Sequence, residues 1–131
     1  AIETANQTKS KMDTMITSKE LVSSYLNHWV HSWEKKDIKM YFSFYSKEFK
    51  GTKQRHVDWR ISRQAALKRH ANISIQLQNI QIRQDKDTVD INFIQTFKSD
   101  NYSDIGIKEL FWVKYGPDWR ITSELWFPIR K

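Results

Sequence analysis

The chain has 131 residues, of which 39% are hydrophobic and 28% charged, with six Trp, five Tyr and seven Phe. That is the composition of one globular domain with enough apolar mass to bury a core without metal or disulfide support, and it excludes a disordered chain. There is no Cys, so disulfides, thiolate metal ligands and a cysteine nucleophile are excluded within it, and no apolar run reaches the roughly 20 residues of a membrane helix.

The formal net charge is +7. Leu21 to Arg60 carries eight basic and four acidic residues, and Ile61 to Arg83 carries four basic residues and no acid. The excess therefore sits on the second and third expected helices. Such a surface suits a solvated face, an anionic wall polymer or a partner protein. The aromatics do not interleave with the basic stretch as a single-strand-binding platform requires, which argues against nucleic acid as the partner.

Residues 1–16 are polar and lack any helical or strand period, as in a linker or lead-in of a longer or processed protein. Thr17-Ser-Lys-Glu20 matches a capping box, with Ile16 as a hydrophobic staple, and predicts a helix to about Lys36. Val22, Leu26, Trp29, Val30 and Trp33 make its apolar stripe. Asp37 is the expected N-cap of a second helix carrying Tyr41, Phe44 and Tyr45. Gly51 interrupts the pattern, and a third helix is expected from about Val57 to about Ala71, with Trp59, Ile61, Ala65, Ala66 and Leu67 as apolar contributors.

The period then changes to two. Ile73, Ile75 and Leu77 alternate with polar residues, and Ile80 and Ile82 continue in the opposite phase, which predicts a bulge near Gln78-Asn79. Asp85-Lys-Asp87 reads as a turn. Val89, Ile91, Phe93, Gln95 and Phe97 share one strand face, Ser99 to Asp104 reads as a polar hairpin loop, and a strand follows from Ile105 to Tyr115. Gly116-Pro-Asp118 turns the chain into a last strand from Trp119 to Phe127, stopped by Pro128. The fold class is therefore α+β: three N-terminal helices on an antiparallel sheet of at least four strands. The last two strands are apolar on both faces, so one face needs a cover, such as a second subunit (a homodimer) or another domain.

Trp29, Trp33, Asp37, Tyr41, Tyr45 and Phe49 recur at intervals of four. After them come Trp59 and Arg63, then Phe93 and Gln95, then Ser99, Tyr102 and Asp104. Lys108 and Leu110 follow, and last Trp119, Ile121 and Glu124. In order and spacing this set resembles the nuclear-transport-factor-2-like (NTF2-like, or SnoaL-like) domain at the C-terminus of bacterial L,D-transpeptidase-type cell-wall proteins and of related tetratricopeptide-repeat envelope proteins. The resemblance spans residues 17–131 and departs at His31, where a small residue is expected. It implies a cone-shaped roll, a strongly curved sheet wrapped round helices and enclosing a pocket open at one end. A short extra hairpin is implied within Phe49 to His56. It also implies a place in the periplasm or cell envelope. In such proteins the peptidoglycan chemistry belongs to a separate domain with a Cys nucleophile, so this chain is implied to be an accessory, ligand- or partner-binding domain.

The candidate pocket comprises Tyr41, Tyr45, Trp59, Arg63, Gln95, Tyr102, Lys108, Trp112, Glu124 and Trp126. Gln95 interrupts an apolar strand face, as a satisfied core amide or a pocket-lining group would. Lys108 shares a face with Leu110 and Trp112, where a Lys needs a partner; Glu124 on the next strand is the obvious one. The alternative is two side chains turned to solvent. Tyr and Trp suit sugar or ring faces, although most aromatics of this kind are core. Arg63 is suited to a carboxylate or phosphate. The expected partner is a cell-wall glycan or peptide or a small anionic ligand. The competing reading is a small isomerase, cyclase or dehydratase with Glu124 as base and Tyr41 or Tyr45 as proton donor. No cofactor is expected. No metal is expected either, since His28 and His31 share a helix face without a third ligand.

Overall fold

The computed structural model describes residues 17–49 and 55–129. Helix α1 spans Ser18–Glu34, α2 Ile38–Ser43 and α3 His56–Arg69, followed by strands β1 Ser74–Asp85, β2 Thr88–Ser99, β3 Tyr102–Tyr115 and β4 Asp118–Pro128. The strands form one antiparallel meander in the order β1-β2-β3-β4, with the helices packed on one face. Ile16 and Gly51, and most of the expected hairpin between Phe49 and His56, lie outside the described residues.

Thr17 caps α1, its Oγ1 accepting from the Glu20 amide at 3.1 Å. Val22, Leu26, Trp29 and Trp33 are buried on its inner stripe, and Val30 packs partly against them. The far end of α1 is tied to the edge strand where Glu34 accepts the Ile75 amide at 3.0 Å. Asp37 caps α2 through the Met40 amide. This helix is shorter than the periodicity implies and ends before Tyr45. The reason is tertiary: the Ile121 amide donates to the Phe44 carbonyl at 2.7 Å and the Ser46 amide to the Ile121 carbonyl at 2.9 Å. Tyr45 thereby bridges to β4 in parallel sense, and Glu124 of that strand is brought to its hydroxyl.

α3 turns Trp59, Arg63, Ala66 and Leu67 inward, and its C-cap His70 follows on the same side. Ile61 and Ala65 are exposed, Ile61 at 63%. They fall on the opposite side of the stripe that Trp59 and Leu67 define, so they do not contribute to the core as expected. The β1–β2 register shifts between Gln78 and Gln81, with Asn79 at φ 54°. This bulge lets Leu77 and Ile82 both pack against the core.

The largest departure is at the β2–β3 turn. The expected loop from Ser99 to Asp104 contracts to a tight hairpin in which Ser99 pairs with Tyr102 and Phe97 with Asp104. Asp104 is thus a strand residue. On the inner face of β3 follow Gly106, Lys108, Leu110 and Trp112; the outer face carries Ile105, Ile107, Glu109, Phe111, Val113 and Tyr115. The core proper lies between α1, α2 and the sheet, where Trp29, Tyr41, Phe93, Ile91, Leu110 and Trp112 are almost fully excluded from solvent.

Candidate functional site

Beyond that core, α3 stands off the sheet and leaves a cavity of about 510 Å³. Its walls are aromatic: Trp33 from α1, Phe49, Trp59 from α3, Phe97 and Tyr102 from the β2–β3 hairpin, and Trp126 from β4. Trp126 reaches its position because residue 106 is glycine. A Cβ there would lie 2.7 Å from Trp126 Cη2 and Cζ2 and from the Phe127 carbonyl oxygen, so the indole occupies the space a side chain would fill.

The floor of the cavity is charged. Glu124 Oε2 accepts from Arg63 Nη2 at 2.9 Å, and its Oε1 accepts from the Tyr45 hydroxyl at 2.8 Å and lies 3.7 Å from Lys108 Nζ. The side chains of Lys108 and Glu124 are 4% and 7% exposed, against 25% for Arg63, so the pair is within the fold and Arg63 is its link to solvent. Tyr45 has one proton and spends it on Glu124; it therefore accepts from Trp29 Nε1 at 3.1 Å and from the Tyr41 hydroxyl at 3.1 Å. The result is a directed chain from Tyr41 through Tyr45 to Glu124. Lys108 Nζ also sits 5.0 Å, 5.4 Å and 5.6 Å from the ring centres of Trp33, Trp126 and Trp29, where ring quadrupoles replace part of its lost hydration.

These surroundings set the ionisation. Burial alone would raise the Glu124 carboxyl, but Lys108, Arg63 and the Tyr45 hydroxyl outweigh it and hold the group below its ordinary value. For Lys108, burial dominates: despite Glu124, its ammonium is pushed down to about 8. Burial also raises Tyr41 to about 12 and, with the Glu124 charge, lifts Tyr45 well above its ordinary value.

Of the residues expected at the pocket, Trp59, Arg63, Gln95, Tyr102, Lys108, Glu124 and Trp126 border the cavity. Tyr41 and Tyr45 lie behind Glu124 and act on the cavity only through it. Trp112 does not reach it; it shares the inner face of β3 but lies four residues beyond Lys108, and its ring packs against Tyr25 and Phe44 in the core. Seven lining residues were not expected there; two of them, Ala66 and Leu67, were read as apolar contributors of the third helix. Trp33 and Phe49 read equally well as core, His70 fell at the end of a helix, Phe97 at the end of a strand, and Asp104 in a loop. The signals for them were the four-residue interval joining Trp29, Trp33 and Phe49 and the place of Asp104 in the set with Ser99 and Tyr102. Gln95 is 3% exposed and lines the cavity, and its Oε1 has no partner within the described residues; the same is true of Asp104 Oδ1 and Trp59 Nε1. His31 lies near Glu34 on the surface, and no group of three or more potential metal ligands occurs among the described residues.

A four-stranded meander wrapped over three helices, with a charged and aromatic cavity between the last helix and the sheet, defines an NTF2-like α+β cone. More narrowly, the chain belongs to the family described as the Cds6 C-terminal NTF2-like domain, whose signature spans residues 21–125. Among solved structures, Bd1075 of Bdellovibrio bacteriovorus is similar, with a TM-score of 0.78 and 26% identity over 84% of this chain and 40% of that one. The helical cell shape determining protein Pgp2 of Campylobacter jejuni is similar too, with a TM-score of 0.66 and 22% identity over 83% of this chain and 42% of that one. A candidate dehydratase of the NTF2-like family from Streptomyces avermitilis has a TM-score of 0.77 at 11% identity, over 86% of this chain and 96% of that one. The chain thus spans about two-fifths of the Bdellovibrio and Campylobacter proteins but nearly all of the Streptomyces one. No curated protein matches the sequence.

Proposed function

We propose that this domain is a non-catalytic, ligand-binding accessory module of a bacterial cell-envelope protein that modifies peptidoglycan, and that its cavity takes a cell-wall glycan or peptide. The observation that carries the reading is the cavity itself: indoles on three sides over a buried Lys108–Glu124–Arg63 floor. Flat apolar faces with polar rims suit sugar and peptide surfaces. The likeness to a cell-shape protein supports an envelope location. The apolar outer sheet face, with Ile107 and Phe127 exposed, suits a second copy or a neighbouring domain.

The competing reading is a small isomerase, cyclase or dehydratase, favoured by the likeness in fold to the Streptomyces protein. Its chemistry is weak here. Glu124 already accepts from Arg63 and Tyr45, faces the Lys108 ammonium and is held ionised at low basicity, and the Tyr41–Tyr45 pair behind it is made less acidic by burial. A carboxylate stabilised in this way as its anion is a weak proton acceptor.

The test is a titration of the domain with soluble disaccharide–peptide fragments of peptidoglycan, following Trp fluorescence. Saturable quenching that disappears in Trp126→Ala is expected. No binding by the wild-type chain at millimolar fragment would overturn the reading.

A further inference from the structure

We infer, resting on that reading, that the cavity selects a peptidic ligand with a primary ammonium group held by Asp104 and Gln95 and a carboxylate held by Lys108 and Arg63. The pocket is therefore built for a zwitterion of about dipeptide length rather than for a purely anionic or neutral ligand.

The unsatisfied polar atoms point to this. Gln95 and Asp104 both line the cavity, and one acceptor of each, Gln95 Oε1 and Asp104 Oδ1, is buried in its wall without a protein donor. Such atoms are rare in native structures because a buried acceptor left without a donor is costly. Asp104 Oδ2 is oriented by the Tyr102 hydroxyl at 2.9 Å, which leaves Oδ1 as the free oxygen. Gln95 pairs with Gly106 and Asp104 with Phe97, so Gln95 and Asp104 are diagonal neighbours on one face of the β2–β3 ladder. A diagonal pair is close enough for both to meet one small donor. An ammonium group offers three protons and a positive charge, which matches two converging acceptors, one of them a carboxylate.

The other end has the opposite character. Lys108 is on the same strand face as Asp104, four residues on, or about 13 Å between Cα atoms at the rise of an antiparallel strand. Glu124 occupies one oxygen each with Lys108 and Arg63, and both cations retain further N–H donors. Between the two ends lies Trp126, seated over Gly106. It is an apolar shelf flanked by acceptors on one side and cations on the other.

A single α-amino acid carries its ammonium and carboxylate on one carbon and cannot reach both ends. A dipeptide, with about 7 Å of extended chain, is long enough once side-chain reach is counted. So is a diamino acid whose side-chain amine and carboxylate are several bonds apart.

The experiment compares alanyl-alanine, N-acetyl-alanyl-alanine and Nα-acetyl-lysine by heteronuclear NMR titration of the intact chain, reading the indole N–H signals of Trp59 and Trp126. Alanyl-alanine should bind at least about tenfold more tightly than its N-acetyl form, since acetylation removes a charge-assisted hydrogen bond. In Asp104→Asn, which keeps an acceptor for Tyr102, that preference should vanish while the acetylated dipeptide binds as before. Lys108→Met should weaken all three. Tighter binding of Nα-acetyl-lysine than of alanyl-alanine assigns the amine to a diamino-acid side chain; the reverse assigns it to a peptide N-terminus. Equal affinity for the free and acetylated dipeptides, or a preference untouched by Asp104→Asn, overturns the inference while leaving the proposed function intact if disaccharide–peptide fragments still shift the same signals. Failure of those fragments as well overturns both.

Discussion

Replacing Glu124 by Gln should cost more stability than replacing Lys108 by Met, although the two residues face one another. In Lys108→Met the carboxylate keeps Arg63 at 2.9 Å and Tyr45 at 2.8 Å, and methionine keeps most of the lysine stem among Trp29, Trp33 and Trp126. The loss is then one 3.7 Å ion pair and the cation–ring contacts, offset by no longer burying an ammonium, or about 1 kcal/mol. In Glu124→Gln the ammonium stays, 4% exposed, without a counter-charge and with Arg63 nearby. Stranding a buried charge costs on the order of 3 kcal/mol. With an unfolding entropy of about 2.1 cal/mol/K per residue, these correspond to falls in Tm of about 4 °C and 10 °C, measured by calorimetry at pH 7. The double variant should be more stable than Glu124→Gln alone, since it removes the stranded charge with its partner. Equal losses in the two single variants, or a double variant as unstable as their sum, would refute the claim that Lys108 depends on Glu124 more than Glu124 depends on Lys108.

Stability should rise with pH above neutrality. Lys108 is held at about 8 in the fold against an ordinary 10.5. Between those values the unfolded chain binds a proton that the folded chain has released, so this group favours the fold progressively as pH rises from about 8. The tyrosines oppose it from about pH 10 upward, where the unfolded hydroxyls ionise while Tyr41 waits until about 12. Urea midpoints between pH 7.5 and 9.5 should therefore increase, and Lys108→Met should flatten the trend. Tyr45→Phe leaves Trp29 Nε1 and the Tyr41 hydroxyl without an acceptor and removes a donor from Glu124; a loss of about 2–3 kcal/mol is expected in denaturant titration. Gly106→Ala places a Cβ 2.7 Å from the Trp126 ring. It should displace the indole, weaken ligand binding at least tenfold and alter the Trp126 indole N–H signal while the fold, monitored by far-UV circular dichroism, is retained.

The elements and their order were legible in the residues because local patterns govern them. The capping signals at Thr17 and Asp37, the α1 stripe from Val22 to Trp33 and the alternation of β2 each specify which face is apolar before any partner is present. Lys108 and Glu124 were legible as a pair because a Lys on an apolar strand face demands a counter-charge and the neighbouring strand offers one. The cavity was not legible residue by residue. Whether Trp33 and Phe49 are core or wall depends on how far α3 stands from the sheet, and no local period encodes that distance. Asp104 was read as loop because a polar run at a hairpin looks alike whether or not its last residues pair, and only the Phe97 register turns its carboxylate inward. Trp126 faces inward over Gly106 only because β4 carries one extra residue between Ile121 and Ser123, which reverses its phase so that Glu124 and Trp126 share the inner face with Ile121. Sequence by itself determined which side chains must avoid water; tertiary structure alone decided which of those face one another across an open space, because that is a matter of strand register and helix standoff, set by contacts between residues far apart in the chain.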